Sequence, residues 1–276
     1  MNSAAISLRN ATCGYSAPIL QDVTIDLEPG TATLLIGPNG GGKSTLLRSF
    51  LGETLLSADQ ANVLGRPVTS MRGEERCRTL AYAPQAESVL FPFTAVDYAA
   101  LGRSVLSSGY FAPDEDVRIA REAMEEIGAG HLAERPITEL SGGETHLVVI
   151  ARALAQQAPI LLLDEPLAHL DVAHWKLVLD AAHRRVDAGA TIVIALHDLN
   201  LAAMLGLPAF LVSRGRVVPI DLKGDTGLDA IRSAYGVEMS RHCVNGLTYL
   251  SLTGLPWPDG PSPTLGTTTV RQSESR

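Results

Sequence analysis

Cysteine is scarce in this chain and badly placed for bridging. Cys13, Cys77 and Cys243 are odd in number and widely spaced. They make neither a disulfide framework nor a zinc-ligand pattern, and they suit a reducing compartment. Positive charge is also short. Lys and Arg number 22 against 30 Asp and Glu, a formal net charge of −8, which argues against a protein that coats nucleic acid. No apolar run approaches the ~20 residues needed to cross a bilayer. The stretch from Met1 to Arg9 lacks the charged start and apolar run of a signal peptide. If this chain serves a membrane, the expectation is that it does so from the cytoplasmic face, through a partner. The apolar fraction of 46% over 276 residues suffices for one large domain, or one domain with a subdomain.

Lysine is as rare as cysteine, with only Lys43, Lys176 and Lys223. One of the three completes the stretch that organises the chain: Gly37, Pro38, Asn39, Gly40, Gly41, Gly42, Lys43, Ser44, Thr45. It fits G-x-x-x-x-G-K-[ST]. Glycines let consecutive N–H groups turn inward as a nest for phosphate oxygens. A helix N-terminus behind them adds partial positive charge. Lys43 can reach the β- and γ-phosphates of a nucleotide, and the Ser44 hydroxyl can ligate Mg²⁺. The flanks agree: Thr31–Ile36 reads as a short buried strand, and Lys43–Leu51 as a helix ended by Gly52.

Ahead of the loop, residues 4–28 alternate apolar and polar in short runs, as antiparallel strands with turns at Gly14-Tyr15 and Glu28-Pro29-Gly30. Tyr15, at one turn, can stack on a base, although a lone tyrosine is more often a packing residue. Residues 53–85 hold a small strand pair and then an apolar strand ending at Pro84-Gln85. Gln85 reads equally as a water or Mg²⁺ contact and as a strand cap. Residues 86–158 read as helical. Val117, Ala120, Met124 and Ile127 recur at helical spacing behind an acidic first turn, and Gly128 closes the helix. Ser141, Gly142, Gly143 and Glu144 open a further helix and form a second anion-binding turn.

The apolar strand Ile160–Leu163 ends in Asp164 and Glu165. Adjacent carboxylates beyond a buried strand are costly unless something uses them. With a phosphate loop upstream, Asp164 suits Mg²⁺ and Glu165 suits polarising an attacking water. Downstream come Asp171, a helix over roughly 175–188, the buried strand Thr191–Leu196, and His197 at its C-terminal end. That strand end is where α/β sheets place ligands. His197 can bond a γ-phosphate, although a lone histidine is more often structural. His169 and His174 have no third ligand nearby in sequence and read as non-metal. Residues 209–218 read as a closing hairpin. A short helix (228–235) and a strand (247–252) follow, and from Pro256 the composition predicts a disordered tail over 256–276.

In this order, Tyr15, Gly37–Thr45, Gln85, Leu140–Glu144, Ile160–Pro166, Asp171 and His197 resemble the ATP-binding subunit of ABC transporters. The likeness covers roughly residues 4–218. The string Leu140-Ser-Gly-Gly-Glu144 separates it from kinases and GTPases. The resemblance implies an α/β fold: a RecA-like phosphate-loop core with a parallel sheet, an N-terminal antiparallel β part and an inserted helical subdomain. It implies one ATPase domain over 4–255, with the helical subdomain at about 90–157. It also implies ATP and Mg²⁺ as cofactors, with Ser44, Gln85 and Asp164 at the metal. Glu165 matches the general base, His197 the switch histidine, and Tyr15 the adenine-stacking aromatic.

The family further implies a homodimer that sandwiches nucleotide. Ser141, Gly142, Gly143 and Glu144 of one copy close over ATP held by the phosphate loop of the other, and Asp171 couples the copies. The remaining implied partners are two membrane-spanning permease subunits and, indirectly, a substrate-binding protein, with no nucleic acid. Phe91–Arg103, Ala195–Ala203 and Ala234–Val237 resemble importers for iron–siderophore, haem and cobalamin. Zinc and manganese importers share a Phe-Pro-x-Thr segment and remain an alternative, as does a soluble ABC ATPase without transport. Three departures from the family pattern stand out: Thr145-His146 after the signature, Leu167, and Met204–Pro208.

Overall fold

A computed structural model describes residues 4–87, 89–106, 113–244 and 246–253. The expected tail over 256–276 lies outside the described residues. The chain opens with β1 (Ile6–Gly14) and β2 (Pro18–Leu27), an antiparallel pair, then enters β3 (Ala32–Ile36) and α1 (Lys43–Phe50). Three short strands follow: β4 (Leu55–Ser57), β5 (Gln60–Val63) and β6 (Arg66–Pro67). They complete an antiparallel sheet ordered β2-β1-β5-β6, with β4 on β1.

Next come α2 (Gly73–Thr79), β7 (Leu80–Ala83), α3 (Ala95–Ala100), α4 (Asp114–Glu126) and α5 (Gly142–Ala155). β8 (Ile160–Asp164), α6 (Val172–Asp187), β9 (Thr191–Leu196), α7 (Leu199–Leu205), β10 (Ala209–Ser213) and β11 (Arg216–Ile220) build the centre. The chain continues through α8 (Asp225–Tyr235) into the hairpin β12 (Met239–Val244) and β13 (Leu247–Leu252).

The central sheet runs β11-β10-β3-β9-β8-β7. Every pairing in it is parallel except β10 with β11. Its inner strands are apolar throughout because both faces are covered. Leu35, Leu162 and Val193 share one core with α1 and the antiparallel sheet. Leu34, Leu161 and Ile194 share the other with α3, α4 and α5. Parallel register places the ends of β3, β8 and β9 side by side, with Ile36 opposite Leu196 and Asp164 opposite Ala195. Three sequence-distant motifs therefore meet at one sheet edge.

The helical layer is pinned by a buried ion pair, Arg103 Nε to Asp116 Oδ1 at 2.5 Å. The stripe read on α4 is largely core: Ala120, Met124 and Ile127 are fully buried, with Ile119 and Ala123 beside them, while Val117 is half-buried. α6 starts earlier than the periodicity predicts, because Asp171 caps it by accepting from the His174 N–H at 2.9 Å. α2 buries no residue, so it left no apolar period to read. The hairpin β12–β13 covers α7, where the Asn200 side chain donates to Leu250 O (3.1 Å) and accepts from Leu250 N (2.7 Å).

Candidate functional site: a phosphate loop beside paired strand-end carboxylates

The loop from Gly37 to Gly42 needs glycine for space. A Cβ on Gly37 would stand 2.1 Å from the Val212 carbonyl oxygen. Gly42 has φ +104°, and a Cβ there would meet Leu20 Cδ2 at 2.7 Å. Lys43 is buried, and its ammonium donates to Gly37 O (2.9 Å) and Pro38 O (3.3 Å). A cleft of about 480 Å³ opens over the loop, lined among others by Asn39, Gly40–Thr45, Gln85 and Glu165. Gln85 is exposed at its rim, beyond β7. Asn39–Thr45 of the expected phosphate loop thus share one cavity with Glu165, while Gly37 and Pro38 do not line it.

Glu165 follows β8 with φ +53°, a left-handed conformation that strains a non-glycine residue. Strain of this kind costs about 1–3 kcal/mol and persists where the surroundings enforce it. Here the Glu165 N–H donates to Ala195 O (3.1 Å) and its carbonyl accepts from Ala168 N (3.0 Å). The turn aims the side chain into the cleft. Glu165 Oε1 stands 3.4 Å from the Lys43 ammonium, and Oε2 contacts His197 Nδ1. The buried carboxylate thus has a cation on one side and an imidazole, exposed at its other edge, on the other.

Asp164 is 2% exposed. Its Oδ2 accepts from the Tyr82 hydroxyl at 3.1 Å. Its Oδ1 is buried without a hydrogen-bond partner. Burial pushes this carboxyl above the ordinary carboxylate range, opposed first by the neighbouring Ser44 hydroxyl and then by Tyr82. The Ser44 hydroxyl and the Gln85 amide line the cleft, and the orphaned Asp164 oxygen lies buried on the residue beside Ser44; all three are hard oxygen donors, which fit Mg²⁺. Among the described residues no cluster of three His, Cys, Asp or Glu forms a cage.

The second anion turn is built but stands apart from this cleft. Ser141, Gly142, Gly143 and Glu144 open α5 and do not line the cavity. Ser141 and Glu144 form a reciprocal capping box: the Ser141 N–H and hydroxyl both donate to Glu144 Oε2, at 2.8 and 2.7 Å. These bonds from Ser141 hold the Glu144 carboxyl below its ordinary range. Gly143 lies against the Glu165–Leu170 turn, where a Cβ would meet the His169 carbonyl oxygen at 2.8 Å.

His146 answers one of the departures from the family pattern. It is 5% exposed and lies against the backbone of Glu165 and Pro166. Burial holds its imidazole below the ordinary histidine value, and those two backbone groups pull the other way. The unfolded chain takes up a proton near ~6.5 that the folded chain refuses. The stability contribution of His146 is therefore complete above that pH and is lost as pH falls below it. His146→Gln should flatten the drop in Tm between about pH 7 and pH 5. An equally steep drop in both proteins would contradict this.

Tyr15 lies exposed at its turn, and its hydroxyl accepts from Arg48 Nη1 at 3.4 Å. Asp171 is committed to capping α6 and also meets His174 Nδ1 at 2.8 Å. Sequence reasoning passed over Tyr82, because a tyrosine inside an apolar strand reads as packing. It also passed over Ile19, which lines the cleft from β2.

Sheet, loop and strand-end carboxylates together define a phosphate-loop ATPase of RecA-like architecture. The family model described as ABC transporter matches residues 20–168, more than half of the chain. The hemin import ATP-binding protein HmuV of Streptomyces coelicolor is 40% identical over 200 residues, covering 72% of this chain and 71% of that one. The protein of the same description from Thermobifida fusca is 38% identical over 249 residues, covering 89% and 87%. Among solved structures, a metal-chelate type ABC transporter in an inward-facing conformation aligns with TM-score 0.73 at 25% identity. That alignment covers 90% of this chain and 96% of that one. The chain belongs to the ABC transporter family, and it is an ATP-binding, ATP-hydrolysing subunit.

Proposed function

We propose that this subunit powers import of an iron chelate, haem first among them, through separate membrane subunits. The observation that carries the cargo is the shared description of its relatives: proteins 36–41% identical are hemin import ATP-binding proteins. Leu90, Phe91, Phe93 and Leu101 are exposed beside α3. They offer an apolar surface for a permease, in the segment that resembles the importer contact. The relatives are ATP-binding proteins of import systems, and the reading is a peripheral subunit on the cytoplasmic face; no described helix is long and apolar enough to cross a membrane.

In this reading, ATP lies over the phosphate loop with its base on Tyr15, and Ser44, Asp164 and Gln85 would hold Mg²⁺. The ion would neutralise charge on the β- and γ-phosphates. Glu165 accepts a proton from water as the water oxygen bonds to the γ-phosphorus, and ADP leaves. His197 orients Glu165 and the γ-phosphate. Two copies sandwich two nucleotides, with Ser141, Gly142, Gly143 and Glu144 closing over the partner's ATP and Asp171 at the contact between copies. The helical subdomain, about 90–157, carries the nucleotide state to the permease through Gln85. Hydrolysis removes the bridging phosphate and reopens the dimer.

The test is uptake of haem carrying radioactive iron, in cells lacking the gene and complemented with wild-type or Glu165→Gln protein. Uptake restored by wild type alone supports the reading. Normal haem uptake without the gene, together with lost uptake of a siderophore, cobalamin, zinc or manganese, would move the cargo to that substrate.

A further inference from the structure

Tyr82 and Arg48 join parts of the site that the sequence presents as separate motifs. β7 lies beside β8, with Tyr82 paired to Leu162 in register. From there the Tyr82 hydroxyl reaches Asp164 Oδ2 at 3.1 Å. The same phenol oxygen meets the Arg48 guanidinium, and Arg48 Nη1 lies 3.4 Å from the Tyr15 hydroxyl. Arg48 is on α1, the helix that begins at the phosphate loop. The path therefore runs from the strand-end carboxylate, through the loop's own helix, to the aromatic turn.

The chemistry of each group fixes its part. A half-buried tyrosine hydroxyl needs a partner, and Tyr82 packs against the core beneath the antiparallel sheet. A carboxylate can only accept, so the Tyr82 hydroxyl is the donor of its pair with Asp164. Arg48 has no acceptor of its own and keeps its charge, so it can only donate towards the tyrosine oxygens. With one Asp164 oxygen tied by Tyr82, the other is presented at a fixed angle, buried and unpartnered. Partners of this kind orient metal-binding carboxylates, and their loss typically costs 10–100-fold in metal affinity.

We propose that Tyr82, held in place by Arg48, is a positioning residue that orients Asp164 towards the cation of bound nucleotide, and that Arg48 links this alignment to Tyr15. The proposal rests on the reading of Asp164 as a Mg²⁺ ligand. It also gives β7 a second task, because the strand that carries Tyr82 leads directly to Gln85. A shift of this strand would move both donors at once.

The test titrates Mg²⁺ into the full-length protein with a fluorescent ATP analogue and reads nucleotide binding rather than turnover. Tyr82→Phe keeps the ring and removes the donor. Its Mg²⁺ midpoint should rise by roughly tenfold, while affinity for the analogue in EDTA changes by less than about twofold. Arg48→Met should move the midpoint the same way by less, and serves if Tyr82→Phe fails to fold. A merely structural role would weaken binding equally with and without metal, and that result would overturn the proposal. Asp164→Asn separates the two readings. If it shifts the midpoint and Tyr82→Phe does not, the positioning role is wrong. If neither shifts it, the assignment of Asp164 to the metal fails as well.

Discussion

Glu165→Gln should lower ATP turnover by about 10²–10⁴-fold, the span of a lost general base, while leaving nucleotide binding intact. The amide fills the volume of the carboxylate, so the cleft keeps its shape. Its carbonyl oxygen can still face the Lys43 ammonium, which lies 3.4 Å from Oε1 in the wild type. The turn stays held by the backbone bonds to Ala195 and Ala168. The expected catalytic loss is that of a carboxylate able to accept the proton from water; the buried Lys43 ammonium also loses its counter-charge, which should lower stability before nucleotide binds. ATP should then persist in the site, and a nucleotide-bridged dimer should accumulate with it. Single-turnover kinetics and gel filtration with Mg²⁺-ATP read the two effects. Turnover at the wild-type rate would remove Glu165 from the role of base.

Lys43→Ala should weaken ATP binding by about 10–100-fold, the equivalent of the ~1.5–3 kcal/mol carried by a hydrogen bond to a charged group. The protein should also lose stability before any nucleotide is added. The Lys43 side chain is 6% exposed and its ammonium faces a Glu165 side chain that is 7% exposed. Removing one partner of such a pair leaves the other charge buried, which costs about 3–5 kcal/mol. The strained turn at Glu165 lies beside that charge, so the cost falls on the geometry of this turn. Calorimetric titration with ATP and a thermal melt measure the two losses separately. Unchanged affinity would contradict the placement of phosphate over the loop. Unchanged stability with weakened affinity would mean that Glu165 is satisfied by His197 alone.

Much of the site is legible before folding because its motifs are local. The six residues from Gly37 to Gly42 specify a tight loop in which Gly37 and Gly42 have no room for a side chain, and an apolar strand that ends in two carboxylates declares where it emerges. Capping is equally local: Ser141 with Glu144, and Asp171 with His174, lie within one turn. Elements with weaker local signals were hidden. α2 has no buried face. β12, which carries Arg241 and His242, does not read as an apolar strand, and only its pairing with β13 makes it one.

The sequence by itself determined the nucleotide chemistry, through spacing, glycine and apolar strands, and the fold class through the family resemblance that those motifs carry. Tertiary structure alone decided how those groups support one another. Asp164 and Tyr82 are 82 positions apart, and Glu165 and His197 are 32 apart. They meet because β7, β8 and β9 lie parallel in that order. Strand order is set by burial of both sheet faces over the whole domain, and no short stretch of chain encodes it.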